Sequence, residues 1–378
     1  MTIYFNNAAS SHPKPETMIA AVVEELSHSP ANPYRDHADT PWATDRCRSI
    51  VADLFHAPNP ERVILCSGAT EAINMALHGL IREKTHVVAT SFEHNAVLRP
   101  LYGLSRLGRI RLEIVQVDPY GHDPGQEVIQ AIRPDTGLVV VNHTSNVNGA
   151  FMEIESIHDV CRRFNIPILI DASQSAGALP INASEMPWAL MAFTGHKSLL
   201  GPPGTGGLVV GQEVKLEPWK LGGTGIHSEY EEMPDIWPLK FEAGTQNYPG
   251  LAGLAASVEY VLERGVDFFS QVKNNLAQEL IGQLAAKQGI SLYSPLNRKN
   301  PCGIVSFTIA GWTPREIGYI LQESFQIRVR TGLHCAPLMH RALGTFPDGT
   351  IRVSFSTFNT IEEVNEFMAA LHAITTKI

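Results

Sequence analysis

Four residue types with chemistry to offer stand just past short apolar runs: a lysine, an aspartate, a histidine and a cysteine. Lys197 sits in Phe193-Thr194-Gly195-His196-Lys197-Ser198, ahead of Gly201-Pro202-Pro203-Gly204-Thr205-Gly206-Gly207. A lysine there, between a histidine and a glycine-rich turn, is placed to hold a ligand, although an ordinary surface lysine before a Gly-Pro turn reads the same way. The turn looks like a nucleotide phosphate loop, but that motif continues with Lys and Ser or Thr, and here Gly207-Leu208 follow. The nucleotide reading fails on that point.

Asp171 closes the run Ile168-Leu169-Ile170. A carboxylate at a buried strand end needs a partner, which a protonated ring nitrogen would supply; a helix N-cap is the plainer alternative. Leu65-Cys66-Ser67-Gly68-Ala69-Thr70-Glu71 reads as strand, small-residue turn and helix start, where free backbone amides bind phosphate unless Ser67 or Thr70 caps them. In Ser91-Phe92-Glu93-His94-Asn95 the imidazole could lie flat on an aromatic cofactor, although a lone histidine there is more often a solvated loop residue. Together, lysine, acid, phosphate cup and stacking histidine describe a pyridoxal phosphate site.

Cys335 follows Arg330-Thr331-Gly332-Leu333-His334. Gly332 is expected to lend the loop mobility, and Arg330, His334 and His340 to supply positive charge that favours a thiolate. The other cysteines read as small buried fillers: Cys66 and Cys161 in apolar patterns, Cys47 on a helix, Cys302 beside a strand start.

Positioning these residues requires a scaffold. Short, mostly β-branched runs at 62–65, 86–90, 111–117, 137–142, 166–171, 189–194 and 207–210 read as strands buried on both faces. Helical patterns at 70–81, 96–107, 126–132 and 154–164 lie between them. That rhythm predicts an α/β fold with a mainly parallel sheet flanked by helices, and ligands at the carboxyl ends of its strands. From 211 to 247 the pattern dissolves around Gly222-Gly223-Thr224-Gly225, an irregular stretch of the functional or interfacial kind. Helices at 251–264 and 267–287, a strand at 304–309, a helix at 314–324, a strand at 350–354 and a helix from 361 make a smaller α+β C-terminal domain. The expected division is a large domain at 13–249, and a small domain at 250–378 that includes residues 1–12 and carries the cysteine loop.

The chain has 378 residues, 44% hydrophobic and 18% charged, which suits two domains with real cores and excludes disorder, coiled coil and collagen. Its net charge of −9 and lack of a Lys/Arg block argue against nucleic acid or an anionic membrane as partner. No apolar run is long enough to span a bilayer, and the first residues lack the pattern of a signal peptide. Five scattered cysteines without CxxC or zinc spacing point to a reducing, cytoplasmic setting and to no metal.

In order and spacing, the chain resembles fold-type I pyridoxal phosphate enzymes of the class V aminotransferase group, most closely SUF-type cysteine desulfurases. The resemblance rests on Asn7-Ala8-Ala9, Gly68-Ala69-Thr70-Glu71-Ala72-Ile73-Asn74, Glu93-His94-Asn95, Thr144-Ser145-Asn146-Val147 and Asp171-Ala172-Ser173-Gln174. It continues through Thr194-Gly195-His196-Lys197, Phe241-Glu242-Ala243-Gly244-Thr245, Arg330-Thr331-Gly332-Leu333-His334-Cys335 and Arg352-Val353-Ser354.

The resemblance implies roles. Lys197 links covalently to the cofactor, Asp171 pairs with the ring nitrogen, Gln174 bonds the ring oxygen and His94 stacks on the ring. Asn146 lies over cofactor and substrate. The Ala69 amide, Thr70, Thr194 and His196 hold the phosphate, while Gly244 and Thr245 reach the phosphate of a neighbouring subunit, implying a homodimer with shared sites. Arg352, with Arg330 beside it, takes the substrate carboxylate. The implied reaction turns L-cysteine into L-alanine and leaves a persulfide on Cys335, which passes to an acceptor protein or small thiol. L-Selenocysteine lyase, another class V aminotransferase or lyase, and a catalytically silent binding partner are the alternatives. The chain departs from the family pattern in three places. Leu333 replaces the first of two loop histidines, Ala69 replaces a hydroxyl residue, and Asn32-Pro33-Tyr34-Arg35-Asp36-His37 matches the substrate-approach region only loosely.

Overall fold

The computed structural model describes residues 2–27, 43–121, 124–296 and 298–375. After β1 (Ile3–Tyr4), α1 (Glu16–Ser27) and α2 (Ala43–Leu54) come β2 (Val63–Cys66), α3 (Ala69–Leu80), β3 (Thr85–Thr90), α4 (Asn95–Arg106) and β4 (Ile110–Val115). The large unit continues with α5 (Pro124–Ala131), β5 (Thr136–Asn142), α6 (Ile154–Arg163), β6 (Ile168–Asp171), β7 (Ala189–Thr194) and β8 (Gly206–Val210). Its seven strands lie in the order β2-β8-β7-β6-β5-β3-β4, and β8 alone runs antiparallel to its neighbours.

The strand sequences explain why helices cover both faces. Along β5, Val139 and Val141 enter one apolar core while Leu138 and Val140 enter the other; on β6, Ile168 and Ile170 oppose Leu169 in the same way. Side chains alternate across a strand, so runs apolar at every position must be covered twice.

The chain then passes through α7 (Tyr248–Arg264) and α8 (Val266–Ala285) to β9 (Ile290–Leu292), β10 (Ile304–Ile309), α9 (Pro314–Phe325), β11 (Ile327–Arg328) and β12 (Arg330–Gly332). It ends with α10 (Pro337–Ala342), β13 (Thr350–Ser354) and α11 (Ile361–Thr375). Strands β12, β13, β10 and β9 form an antiparallel sheet, and β1 pairs in parallel with β11. The expected boundary at 249/250 falls in the first turn of α7. That helix buries Leu251, Leu254 and Val258 in the large core, whereas α8 from Leu276 onward enters the small core, which also takes in Ile3 and Phe5. Among the described residues, no helix is long and apolar enough to cross a membrane.

Candidate active site

Three parallel strands end at one place. The last residues of β5 and β6, Asn142 and Asp171, are register partners, and β7 finishes at Thr194 beside them. Carboxyl ends of parallel strands are where such sheets bind ligands. A cavity of about 330 Å³ opens there, and both Lys197 and Asp171 line it.

At one end of this cavity lies the start of α3. Gly68, its N-cap residue, has φ 146° and offers no capping side chain, and Ser67 turns its hydroxyl to Glu71 Oε2 at 2.6 Å. The capping alternative therefore fails, and the first amides of α3 are left for an anion. Ala69, exposed Thr70, Thr194 and His196 all border this end. Burial, with Lys197 and Lys14 nearby, lowers His196 to about 4, so the ring is a neutral hydrogen-bonding group.

On the wall, burial lowers the Lys197 amine to about 8, with Arg352 and Arg330 pushing the same way and Asp171 opposing. Asp171 is fixed by Ser173, whose amide and hydroxyl both donate to Oδ1, at 2.9 and 2.5 Å. His94 caps α4 by accepting the Ala96 amide on Nδ1 at 3.0 Å, which leaves its proton on Nε2. Burial lowers its imidazole to about 4, so it is a neutral plate on the cavity wall. Gln174 also lines the cavity, with Nε2 donating to Ala8 O at 3.0 Å, so one of its amide hydrogens is already committed.

The opposite wall comes from the antiparallel sheet. Arg330 on β12 and Arg352 on β13 are direct cross-strand partners, and both line the cavity. Like charges directly opposite on a sheet repel, so the pair calls for an anion between them. Arg352 is only 1% exposed; it donates from Nη1 to Asn146 O at 2.8 Å and from Nη2 to Asn6 Oδ1 at 3.1 Å. Its Nε has no partner among the described residues, and burial beside Arg330 lowers it to about 9. This is a prepared carboxylate site with donors in reserve. Arg330 Nη2 also reaches Cys335 Sγ at 3.6 Å, which ties the thiol to the same wall.

Gly332 is part of β12 with φ 97°, left-handed backbone that favours glycine, while the close approach requires glycine at Gly349, where a Cβ would strike the Gly332 backbone. One expectation about the cysteine loop is corrected. His334 and His340 are buried neutral rings: burial, then neighbouring positive charge, holds His334 well below its ordinary range and His340 at about 4. Arg330 alone of the three supplies charge at the sulfur.

Gly244 and Thr245 are exposed and do not border this cavity. The 32–37 segment lies outside the described residues. Burial pushes the thiols of Cys47, Cys66 and Cys161 up to about 12 and raises Cys302, as fillers require. Three further residues were missed from sequence. Asn6 seats Arg352, and Ser173 seats Asp171. Glu93 is fully buried, its carboxyl pushed up to about 8, with Oε1 accepting from Thr90 Oγ1 at 2.6 Å and Asn142 N at 2.9 Å. The only local signal for Glu93 and Ser173 was their place within motifs read for His94 and Asp171.

The class V aminotransferase model matches residues 3–367, and the chain belongs to that family. Its relatives include a probable cysteine desulfurase of Pyrococcus abyssi, 31% identical over 98% of this chain and 94% of the relative. Another, of Mycolicibacterium paratuberculosis, is 32% identical over 98% of this chain but only 55% of its own length, so this chain spans about half of that protein. The solved apo structure of cysteine desulfurase from Thermococcus onnurineus NA1 matches with a TM-score of 0.89 at 28% identity, covering 100% of this chain and 95% of that one. The fold is that of the pyridoxal-phosphate-dependent cysteine desulfurases, and the cavity suits that cofactor. It offers uncapped helix amides for a phosphate, an amine of lowered basicity, a fixed carboxylate, and a buried Asn146 Oδ1 left without a partner among the described residues.

Proposed function

We propose that this cavity converts L-cysteine to L-alanine, with the substrate sulfur leaving as a persulfide on Cys335. The protein is a cysteine desulfurase dependent on pyridoxal phosphate. What supports the site assignment most is the Arg330–Arg352 pair, a carboxylate seat in the cavity that Lys197 also lines, with the Cys335 thiol behind the lining at 3.6 Å from Arg330 Nη2.

When bound, pyridoxal phosphate supplies a carbonyl that condenses with amines and a ring that stabilises the charge left when a Cα proton departs. The amides of Ala69 and Thr70, with Thr194 and His196, would hold its phosphate, Asp171 its ring nitrogen, Gln174 its ring oxygen, and His94 one face. Lys197 would anchor it, and the free amine of Lys197 would take the substrate's Cα proton. An amine near 8 is basic enough to accept that proton and neutral often enough at physiological pH to do so. Arg352 and Arg330 fix the carboxylate, which orients the substrate's sulfur-bearing arm toward Cys335. The Cys335 thiolate attacks that sulfur: an S–S bond forms, the substrate C–S bond breaks, and protonation of the carbon yields alanine. A second thiol, on a protein or a small molecule, then takes the terminal sulfur and restores Cys335.

Gly244 and Thr245, exposed and outside the lining of their own cavity, support a homodimer in which they complete the neighbour's phosphate site. Residues 13–249 form the large domain and 250–378 with 1–12 the small one, with α8 joining the two cores through Phe269 on one side and Leu276 on the other. Five free thiols support a reducing cytoplasmic setting. Purified holoenzyme given L-cysteine should release alanine and sulfide in equal amounts in the presence of a reductant, and Cys335→Ser should stop both. Sulfide release by Cys335→Ser at the wild-type rate would overturn the persulfide route, and preference for L-selenocysteine over L-cysteine would reassign the substrate.

A further inference from the structure

The turn that carries Cys335 is held in a conformation its own sequence does not favour. His334 and Cys335 both have positive φ, 47° and 61°, in succession and without a glycine. Side-chain-bearing residues stay left-handed only where surrounding contacts over-determine them. The turn closes its own hydrogen bond, Ala336 N to Leu333 O at 2.9 Å, and the remaining contacts come from outside it. Asn146 Nδ2 donates to His334 O at 2.7 Å, and the Asn95 amide donates to Cys335 O at 2.7 Å. A carbonyl can only accept, so the Asn146 amide orientation is fixed.

A second arm runs through the His334 ring. Thr350 Oγ1 donates its one hydrogen to Ser306 Oγ at 3.2 Å, and Ser306 Oγ donates to Val147 O at 2.5 Å. The Thr350 hydroxyl must therefore accept from His334, which fixes the proton on Nε2, 3.1 Å away. Both arms end on consecutive residues of the large unit: His334 O on the Asn146 side chain, and the His334 ring on Val147 O by way of two hydroxyls. Asn146 O meanwhile accepts from Arg352 Nη1, so the same residue joins the carboxylate seat to the cysteine turn.

We infer that Asn146 and Thr350 are positioning residues that latch the His334–Cys335 turn against the large unit and set where the Cys335 thiol stands over the cavity. The inference rests on the desulfurase reading and goes beyond it: Asn146 acts on the nucleophile as well as on the ligand beneath it, and Thr350 acts on the nucleophile alone. A thiol displaced by about an ångström loses on the order of a hundredfold in rate.

Holoenzyme variants mixed with one equivalent of L-cysteine test the latch through two readouts, the cofactor absorbance change and the sulfur mass added to Cys335. Thr350→Val, close in shape but without the hydroxyl, should keep the absorbance band and its cysteine-induced shift, while Cys335 gains sulfur at least about tenfold more slowly. Thr350→Ser should restore the rate to within about twofold, because the hydroxyl chain closes again. Asn146→Ala, a cavity-wall change that leaves the core intact, should slow sulfur transfer at least as much. Wild-type sulfur transfer in both Thr350→Val and Asn146→Ala, or failure of Thr350→Ser to rescue, overturns the latch. Wild-type enzyme whose absorbance shifts while Cys335 never gains sulfur overturns the desulfurase reading instead, and the latch with it.

Discussion

The two walls of the cavity are made by opposite strategies. The Lys197–Asp171 wall is a set of strand ends in a parallel sheet, where each side chain is placed by its own strand and the turn that follows. The Cys335–Arg352 wall is antiparallel sheet and a strained turn, and almost nothing there is placed locally. Asn6, Asn95, Asn146 and Thr350, scattered along the chain, do the placing. Charge is handled differently too. On the first wall an amine faces a carboxylate, while on the second two guanidinium groups face each other across a strand pair. The first wall is balanced when empty, and the second is built to be balanced by what it binds.

The sharpest way to break this comparison is to silence each wall in turn. Lys197→Ala should lose about 10²–10⁴-fold in turnover, along with exchange of the substrate Cα proton for deuterium in heavy water. Cys335→Ser should lose sulfur transfer as completely but keep that exchange, since the first wall alone moves the proton. Measuring exchange by mass spectrometry beside alanine production checks both; loss of exchange in Cys335→Ser would show that the walls do not work as separate units.

A smaller effect is expected where the second wall meets substrate. Arg352→Gln removes the buried charge but keeps an amide near Asn146 O and Asn6. Charge-assisted hydrogen bonds contribute about 1.5–3 kcal/mol, so the Michaelis constant for L-cysteine should rise roughly tenfold to a hundredfold. Turnover at saturation should change less. A fall confined to saturated turnover, with no change in Michaelis constant, would remove Arg352 from substrate binding.

The difference between the walls also decides how much of the molecule could be read in advance. Strands β3, β5, β6 and β7 and the residues after them were legible because apolar runs and the turns that end them are local signals. The uncapped start of α3 was legible for the same reason. Strands β1, β11 and β12 were not, because two- and three-residue strands exist only through their partners. The protonation of His334 and His340 was misread because a histidine's charge is decided by burial, and sequence shows neighbours in the chain rather than neighbours in space. Asn6 could not have been chosen: its one informative contact, with Arg352, spans almost the whole chain.

The lowered basicity of Lys197 gives the first wall a signature of its own. Depression of the amine to about 8 means that the protonated form dominates below that pH and the nucleophilic neutral form above it. Uptake of pyridoxal phosphate by the apo protein should therefore speed up about tenfold per pH unit up to about 8 and then level off. An ordinary lysine would keep accelerating toward 10.5. Following the absorbance of cofactor binding between pH 6.5 and 9.5, a range of about three units, separates the two; a rise that continues unbroken would show that burial does not tune this amine.

The smallest expected effect tests whether the first wall is as balanced as it looks. Glu71 borders the phosphate end of the cavity, where its carboxylate would repel an anion, and Lys220 Nζ holds it at 3.0 Å. Lys220 is 41% exposed, so solvent screens the pair and its worth is that of a surface salt bridge, roughly 0.2–1 kcal/mol. Lys220→Met should thus weaken cofactor affinity by only about twofold to fivefold, and the loss should shrink further in high salt. Glu71→Gln in the same background should recover the affinity, because the charge that Lys220 offsets is then gone. Titrating apo variants with pyridoxal phosphate at low and high salt reads all three. If Lys220→Met binds the cofactor as tightly as the parent at low salt, Glu71 does not act on the phosphate end, and the uncapped amides of α3 carry the anion without an acidic neighbour to offset.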